Sequence, residues 1–329
     1  MKKIVSIVLA MVMCVTMFAL TGCEGGSKDD GKYTVGVSQM HQHPALDAAT
    51  QGFIDTLKTE LGEENVEVLN ENASNSPETC TTIVNNFVNK KVDLIMANAT
   101  PALQAAVNGT ETIPVLGTSI TEYGVALGID DFDGLVGGNV SGTSDLAPLD
   151  KQAEMLVDLY PEAEKVALLF CSSEPNSAYQ VKEVRKYLVE KGLSNENIKD
   201  YSFTDSNDVV SVASAAATFA DVIYIPTDNT AASCTETISG VIGDTPVIAG
   251  EEGICKGCGV ATLSISYYDL GVATGKMAAK ILKGEAKVSE MKIEYAATFT
   301  KKYNADRCNE LGVDTEALEA KGYTAIAAE

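Results

Sequence analysis

An internal repeat constrains the fold of this chain more than any other feature of its sequence. The segment Val92-Asp-Leu-Ile-Met-Ala-Asn-Ala-Thr-Pro101 corresponds to Ala220-Asp-Val-Ile-Tyr-Ile-Pro-Thr-Asp-Asn229. Each segment precedes a helix-like stretch and then a strand-like stretch that opens at a proline, Pro114 or Pro246. A repeated strand–helix–strand unit predicts two lobes of one topology rather than one long sheet.

Strand-like and helix-like segments alternate along the chain from Tyr33 onwards. Apolar runs at 33–40, 92–97 and 165–170 are typical of buried strands, and 44–61 has helical spacing of its apolar residues. The predicted fold class is therefore α/β, with two doubly wound parallel-sheet lobes. Such sheets bind ligands beyond the carboxyl ends of their strands, so two facing lobes would form a ligand cleft.

The first residues indicate export. Lys2 and Lys3 precede an apolar stretch, 4–20, which ends in Leu20-Thr-Gly-Cys23. This pattern predicts a signal peptide over 1–22, and its last four residues match a bacterial lipobox, which implies acylation of Cys23. Two acyl chains would anchor the protein in the cell membrane, facing outside the cytoplasm, with 23–32 as a tether. The alternative is an ordinary signal peptide with a chance cysteine.

Charge and missing motifs exclude several classes of function. The net charge is −22, and the only arginines are Arg185 and Arg307. Nucleic acid is therefore an unfavourable partner, because its binding needs Lys and Arg to neutralise phosphates. We find neither a Gly-x-Ser-x-Gly elbow nor a phosphate-binding glycine-rich loop. The sequence predicts a protein that is not an enzyme and needs no cofactor.

Two short motifs could bind metal, although each falls short of a full site. Cys255-Lys-Gly-Cys258 lacks a second ligand pair and is predicted to lie in a glycine-rich loop, as a disulfide or as unpaired thiols. His41 and His43 supply only two ligands. No metal site is predicted.

Several motifs resemble those of a known family. They are the lipobox, Gly36-Val-Ser-Gln39, His43-Pro-Ala-Leu-Asp47, Ala99-Thr-Pro101, Gly138-Asn-Val-Ser-Gly142, Pro226-Thr-Asp-Asn229 and Tyr267-Tyr-Asp-Leu-Gly271. Together they are similar to the ABC-type substrate-binding lipoproteins of the tryptophan/aromatic amino-acid uptake group. The stretch with Cys255 and Cys258 is not part of that pattern.

The resemblance implies a periplasmic-binding-protein type I fold, in which the chain crosses three times between its lobes. We place lobe one at 33–146 plus 262–285 and lobe two at 147–261 plus 286–329. The implied partners are a small-molecule ligand and the permease and ATPase subunits of an ABC importer. We expect a monomer.

Strand ends nominate the ligand-binding residues. They are Ser38, Gln39, Thr100, Thr118 and Ser119 in lobe one, and Asp228, Asn229 and Glu251 in lobe two. The resemblance adds Glu174, Asn176 and Ser177 from a polar loop, which could otherwise be a turn and helix cap. Tyr267 could stack on a ligand ring or pack at the hinge.

The chemistry of this set favours a zwitterion. It contains no Arg or Lys, which a phosphate or dicarboxylate would require, and only Lys256 lies nearby in the sequence. A ligand carboxylate could bind at the helix that Thr100-Pro101 opens, and a ligand ammonium could pair with Asp228 or Glu251. In the alternative interpretation, Thr100 and Asp228 only cap helices.

The predicted function is to bind an amino acid and deliver it to a permease, with tryptophan, tyrosine or phenylalanine favoured. Two alternatives remain at this point. The ligand could be a nucleoside or a sugar, or the protein could be a sensor that signals to a membrane receptor.

Overall fold

Two sheets with helices on their faces make up the fold of residues 31–327, which the computed structural model describes. The strands are β1 (Tyr33–Gln39), β2 (Val66–Asn72), β3 (Leu94–Asn98), β4 (Val115–Ile120), β5 (Val140–Ser144), β6 (Val166–Cys171), β7 (Ile198–Phe203), β8 (Val222–Ile225), β9 (Val247–Ala249), β10 (Ala261–Ser264), β11 (Glu294–Tyr295), β12 (Thr300–Tyr303) and β13 (Thr324–Ala325). The helices are α1 (Pro44–Leu61), α2 (Pro77–Lys90), α3 (Thr100–Gly109), α4 (Tyr123–Leu127), α5 (Leu149–Leu159), α6 (Pro175–Glu190), α7 (Val209–Phe219), α8 (Asn229–Ser233), α9 (Thr235–Ile242), α10 (Glu252–Cys258), α11 (Tyr267–Leu282), α12 (Ala305–Leu311) and α13 (Thr315–Ala320).

The first sheet has six strands in the order β11-β5-β4-β3-β1-β2, and all of its pairings are parallel. The second has seven, in the order β13-β12-β10-β9-β8-β6-β7, with a single antiparallel pairing between β10 and β12. We call the elements built on these sheets the first and the second lobe. This confirms the predicted α/β class with two doubly wound, largely parallel lobes.

Buried apolar residues lie on both faces of each sheet, as parallel sheets require. The first lobe buries Phe87 and Leu103 on one face and Phe53 and Leu116 on the other. Central strands such as β3 and β6 are buried along their whole length. Their sequences are therefore continuous apolar runs rather than alternating ones.

The chain passes between the sheets at three places, 145–148, 265–266 and 296–299. The first passage agrees with the boundary expected at 146. Strand β10 pairs with β9 and belongs to the second sheet, so the second passage lies a few residues later than expected at 262. Strand β11 pairs with β5, so the third lies about ten residues later than expected at 286. The limits of the lobes as independent domains remain a prediction.

Helices α1 and α11 pack closely where glycines remove side-chain bulk. A Cβ atom at Gly271 would lie 2.0 Å from the carbonyl oxygen of Ala49, and one at Gly52 would lie 2.2 Å from that of Tyr268. Larger side chains cannot fit at this crossing. The contact holds α11, which follows the second passage, against the helix that follows β1.

Some local predictions were wrong. Strand β5 was not assigned, because Val-Ser-Gly-Thr-Ser has no apolar run. Residues 229–242 form two helices that meet at Cys234, and in 292–299 only the two residues of β11 are a strand, although the apolar spacing of these stretches favours one helix and one longer strand. The Cys255-x-x-Cys258 motif lies on helix α10 rather than in a loop, because the side chain of Glu251 caps that helix.

Candidate functional site

A small polar cavity lies between the two lobes, where the carboxyl ends of their strands meet. Its lining residues come from both lobes and from the passages between them: His43, Leu46, Ser119, Thr121, Asp145, Asn176, Thr227, Asp228, Asn229, Ala232, Glu251 and Tyr267. The free volume is about 10 Å³, roughly what one water molecule needs. The lobes are thus closed on each other around this point.

Half of the predicted site residues line the cavity. They are Ser119, Asn176, Asp228, Asn229, Glu251 and Tyr267. The others are buried beside it and are not among its lining residues: Ser38, Gln39, Thr100, Thr118, Glu174 and Ser177. The residues predicted from strand ends therefore lie at the edge of each sheet that borders this cavity, whereas the sequence could not show which of their side chains line it.

The side chains of Gln39 and Thr118 form hydrogen bonds within the first lobe. Gln39 receives a hydrogen bond from Thr50 Oγ1 at 2.6 Å and donates to Asp47 Oδ1 at 2.7 Å. Thr118 joins a hydroxyl cluster with Thr143 and Thr274, at 3.2 Å from each. These contacts tie α1 and α11 to the sheet and leave the two side chains engaged within the lobe.

Glu174 holds the start of α8 rather than facing the cavity. Its carboxylate accepts hydrogen bonds from both the backbone N–H and the side-chain amide of Asn229, at 3.1 and 2.7 Å. It also accepts from the backbone N–H and the hydroxyl of Thr230, at 2.9 and 2.8 Å. With the side-chain amide of Asn176, which donates at 3.3 Å, five donors occupy this buried carboxylate, and a ligand would have to displace them.

Asp228 is equally engaged, as the helix-cap interpretation predicts. One carboxylate oxygen accepts from Ala231 N at 2.8 Å and so caps α8, and the other accepts from Cys171 N at the end of β6 at 2.6 Å. Burial, together with the charge of Glu174, raises the pKa of Asp228 to about 7. Glu251 likewise accepts from Gly253 N and Ile254 N at the start of α10. Burial raises the pKa of Glu251 to about 7.

Asp145 is the cavity carboxylate that the sequence analysis missed. It follows β5 directly and is 4% exposed. Its Oδ2 accepts a hydrogen bond from the Tyr267 hydroxyl at 2.9 Å, whereas its Oδ1 is buried without a partner. Burial raises the pKa of Asp145 to about 6. Had β5 been assigned, the strand-end argument would have found this residue.

Two further polar atoms of the lining are buried without a hydrogen-bond partner, Ser119 Oγ and Asn176 Oδ1. Buried polar atoms in native proteins nearly always have partners, so unpaired ones indicate where something else binds. Asp145 follows β5 and Ser119 lies near the end of β4, both in the first lobe, whereas Asn176 lies on α6 of the second. The unpaired atoms therefore face the same cavity from both sides.

His43 makes a direct polar contact between the lobes. His43 immediately precedes α1 of the first lobe, and its Nε2 lies 3.4 Å from Oδ1 of Asn229 at the start of α8 in the second lobe. Burial lowers the pKa of His43 to about 4, so the imidazole is neutral near neutral pH. Within residues 31–327 we find no group of three or more potential metal ligands that includes it.

The cysteines of the described part of the chain are all free thiols. Cys255 and Cys258 are buried on α10, and burial raises the pKa of Cys258 to about 12. A thiol in that environment stays protonated and unreactive. Cys23, the predicted lipidation site, lies outside the described residues.

Comparisons with known proteins agree with this architecture. A sequence profile described as ABC transporter substrate binding protein matches residues 34–321. A tyrosine-binding protein of Clostridioides difficile (strain R20291) is 35% identical over 300 residues, which cover 87% of this chain and 85% of that protein. No helix within residues 31–327 combines the length and the apolar character needed to cross a bilayer.

Two solved structures are also similar. The ABC domain from Streptococcus pneumoniae in complex with L-Trp has a TM-score of 0.83 at 30% identity, covering 89% of this chain and 99% of that one. The ligand-free, open structure of a substrate-binding protein with adhesive properties from Clostridium difficile has a TM-score of 0.69 at 34% identity, covering 90% and 100%. With its two α/β lobes of periplasmic-binding-protein type I fold, this chain belongs to the ABC transporter substrate-binding protein family.

Proposed function

We propose that this protein binds an amino acid with an aromatic side chain between its lobes and delivers it to the permease of an ABC importer. The observation that carries the proposal is the unpaired, buried oxygen of Asp145 in the cavity between the lobes. Such an oxygen lacks a hydrogen-bond donor, and an ammonium group would supply donors together with the opposite charge. The relatives named for tyrosine and solved with L-Trp support an aromatic side chain.

The polar lining suits the rest of an amino acid backbone. Ser119 Oγ, a potential donor, is unpaired in the same cavity, and no Lys or Arg is among the lining residues. A phosphate or a dicarboxylate would bury charge there without compensation. A zwitterion adds no net charge and brings its own cation to Asp145.

Closure of the lobes around the ligand also belongs to the proposal. An amino acid does not fit a cavity of about 10 Å³, so the lobes must separate to admit it. The chain superposes better on the L-Trp complex than on the ligand-free open structure, although the second is slightly more identical in sequence. This ranking supports a closed arrangement of the lobes here.

We further propose that acylated Cys23 anchors the protein in the cell membrane, facing outside the cytoplasm, and that it acts as a monomer without a chemical step of its own. The lipobox Leu20-Thr-Gly-Cys23 supports the anchor. A Cys23→Ala variant should be released into the medium or persist as an uncleaved precursor, because no acyl chains insert into the bilayer. Normal membrane retention together with normal processing of this variant would contradict the anchor.

Calorimetry on Asp145→Asn tests the binding role. A thermal-shift screen of amino acids, nucleosides and sugars first identifies the best ligand, which raises stability by mass action. The variant should bind an amino acid at least about tenfold more weakly, because truncating one partner of a buried charge pair costs about 2–5 kcal/mol. Asp150→Asn is the control, since Asp150 is exposed a few residues further on. Wild-type affinity in Asp145→Asn would refute the ammonium site, and a response only to nucleosides or sugars would refute the ligand class.

A further inference from the structure

A second and larger pocket lies directly beside the polar cavity. Its volume is about 420 Å³, and two of its lining residues, Glu251 and Tyr267, also line the polar cavity. Pockets for small molecules usually measure about 300–1,000 Å³ and are mostly apolar. The polar cavity is far below that size, whereas this pocket is within the range.

The pocket is lined mainly by small and apolar side chains. Ala45 and Ala48 contribute from α1 in the first lobe, Ile265 from the second passage, and Ile326 from the end of the described chain. At its other side, Lys302 on β12 pairs with Glu252 on α10 at 2.5 Å. An apolar pocket with a polar pair in its wall suits a ring that carries one polar group.

Tyr267 connects the two spaces physically. Its hydroxyl donates to Asp145 Oδ2, so its ring extends from the proposed ammonium site to the pocket that it lines. An amino acid whose ammonium binds the free oxygen of Asp145 has its side chain attached one atom further on. The ring of Tyr267 then offers that side chain an aromatic surface on the way into the pocket.

We infer that this pocket between α1, α10 and the 265–266 passage receives the side chain of the bound amino acid, and that it selects for large side chains with a polar tip, such as those of tyrosine and tryptophan. The inference rests on the proposed function, because it assumes that the ammonium binds at Asp145. Both lobes contribute to the pocket wall, so the fit of the side chain is completed when the lobes close.

Filling the pocket tests the inference. Ala48 is half-buried on α1, and Ala48→Phe would place a ring into the pocket from that helix. The matched control is Ala215→Phe on α7, where Ala215 is exposed and lines none of the pockets described above. Thermal unfolding of both variants without ligand checks that they fold.

L-tryptophan is the probe, because the chain contains no tryptophan and the ligand can be excited selectively. With the wild-type protein we expect its emission to move to shorter wavelength, as the indole leaves water. Ala48→Phe should weaken binding about tenfold or more, because its ring would occupy the space that the indole needs. Ala215→Phe should bind as the wild type does.

The results separate the two proposals. A wild-type protein that binds no aromatic amino acid overturns the proposed function and this inference with it. Wild-type binding with unchanged affinity in Ala48→Phe overturns the pocket assignment alone. Weaker binding to Ala48→Phe with the wild-type emission shift also overturns it, because the indole would then lie elsewhere.

Discussion

In the first lobe, the strand that opens the repeat, β3, continues into neutral side chains, whereas in the second lobe the corresponding strand, β8, continues into a carboxylate. Asn98 at the end of β3 donates to the Leu46 carbonyl at 2.9 Å and to Thr50 Oγ1 at 3.0 Å. Asp228, just past the end of β8, accepts from two backbone N–H groups. Both residues hold a helix start in place, by opposite hydrogen-bonding roles.

The difference shows which lobe has polar atoms to spare for a ligand. In the second lobe, the charges of Glu174, Asp228 and Glu251 are used by helix starts. The carboxylate with an unpaired oxygen, Asp145, follows β5, a strand of the first lobe that lies outside the repeat. We therefore expect second-lobe carboxylates to govern stability and Asp145 to govern affinity.

The largest effect on stability is expected for Glu174→Ala. Its carboxylate serves four donors of Asn229 and Thr230, and each buried donor left unpaired costs about 1 kcal/mol or more, so unfolding free energy should fall by about 4 kcal/mol. Denaturant unfolding measures this, with Glu190→Ala at the exposed end of α6 as the control. Equal stability of the two variants would show that water replaces the carboxylate without loss.

The pH dependence of stability isolates Asp145. Its pKa of about 6 in the folded protein lies above the ordinary value of 3.8, so the folded protein binds the proton more tightly than the unfolded chain does. The proton on Asp145 therefore contributes up to about 3 kcal/mol of stability at low pH. This contribution is lost as the pH rises from about 4 to 6. Wild-type stability should therefore fall with pH, relative to Asp145→Asn, across that window. For the control Asp150→Asn, the difference in unfolding free energy from the wild type should not change with pH. An equally constant difference for Asp145→Asn would contradict the raised pKa.

A smaller loss is expected for Asn98→Ala in the first lobe. The variant leaves the Leu46 carbonyl and the Thr50 hydroxyl without their amide donor, at a cost of about 2 kcal/mol. Asn108→Ala on α3 is the matched control, because Asn108 is exposed. Chemical denaturation decides the matter, and a loss no larger than that of the control would mean that this network does not hold α1.

The smallest effect is expected for Asp228→Asn. Asparagine caps helices about as well as aspartate, but only one of its side-chain atoms accepts hydrogen bonds, and either Cys171 N or Ala231 N would face the amide NH₂. We expect a loss of about 1 kcal/mol in unfolding free energy and less change in ligand affinity than in Asp145→Asn. Asp208→Asn serves as the control, because Asp208 precedes α7 without a side-chain cap bond. A tenfold loss of affinity in Asp228→Asn alone would reverse the roles of the two lobes.

Much of the architecture could be predicted where local sequence and burial agree. Helix α1 was predicted over 44–61 and is observed there, because Pro44 opens it, Gly62 follows it and one face is apolar. Strand β6, Val166–Cys171, likewise coincides within one residue with the apolar run at 165–170. Strand β5 was not predicted, because its small polar residues are buried only through pairing with β4 and β11. Helix α10 was predicted as a loop, because its glycines favour a loop and the cap that Glu251 provides was not recognised.

The sequence by itself determined the repeated α/β lobes, the edge of each sheet where a ligand would bind, and the absence of basic side chains from the candidate set. Only the tertiary structure decided which polar atoms at that edge remain unpaired. Asp228 is engaged by Cys171, 57 residues away, while Asp145 meets Tyr267, 122 residues away, with one oxygen only. Hydrogen-bond partners of this kind meet only when the strands are assembled. The unpaired oxygen of Asp145 is therefore a property of the fold and cannot be read from the local sequence.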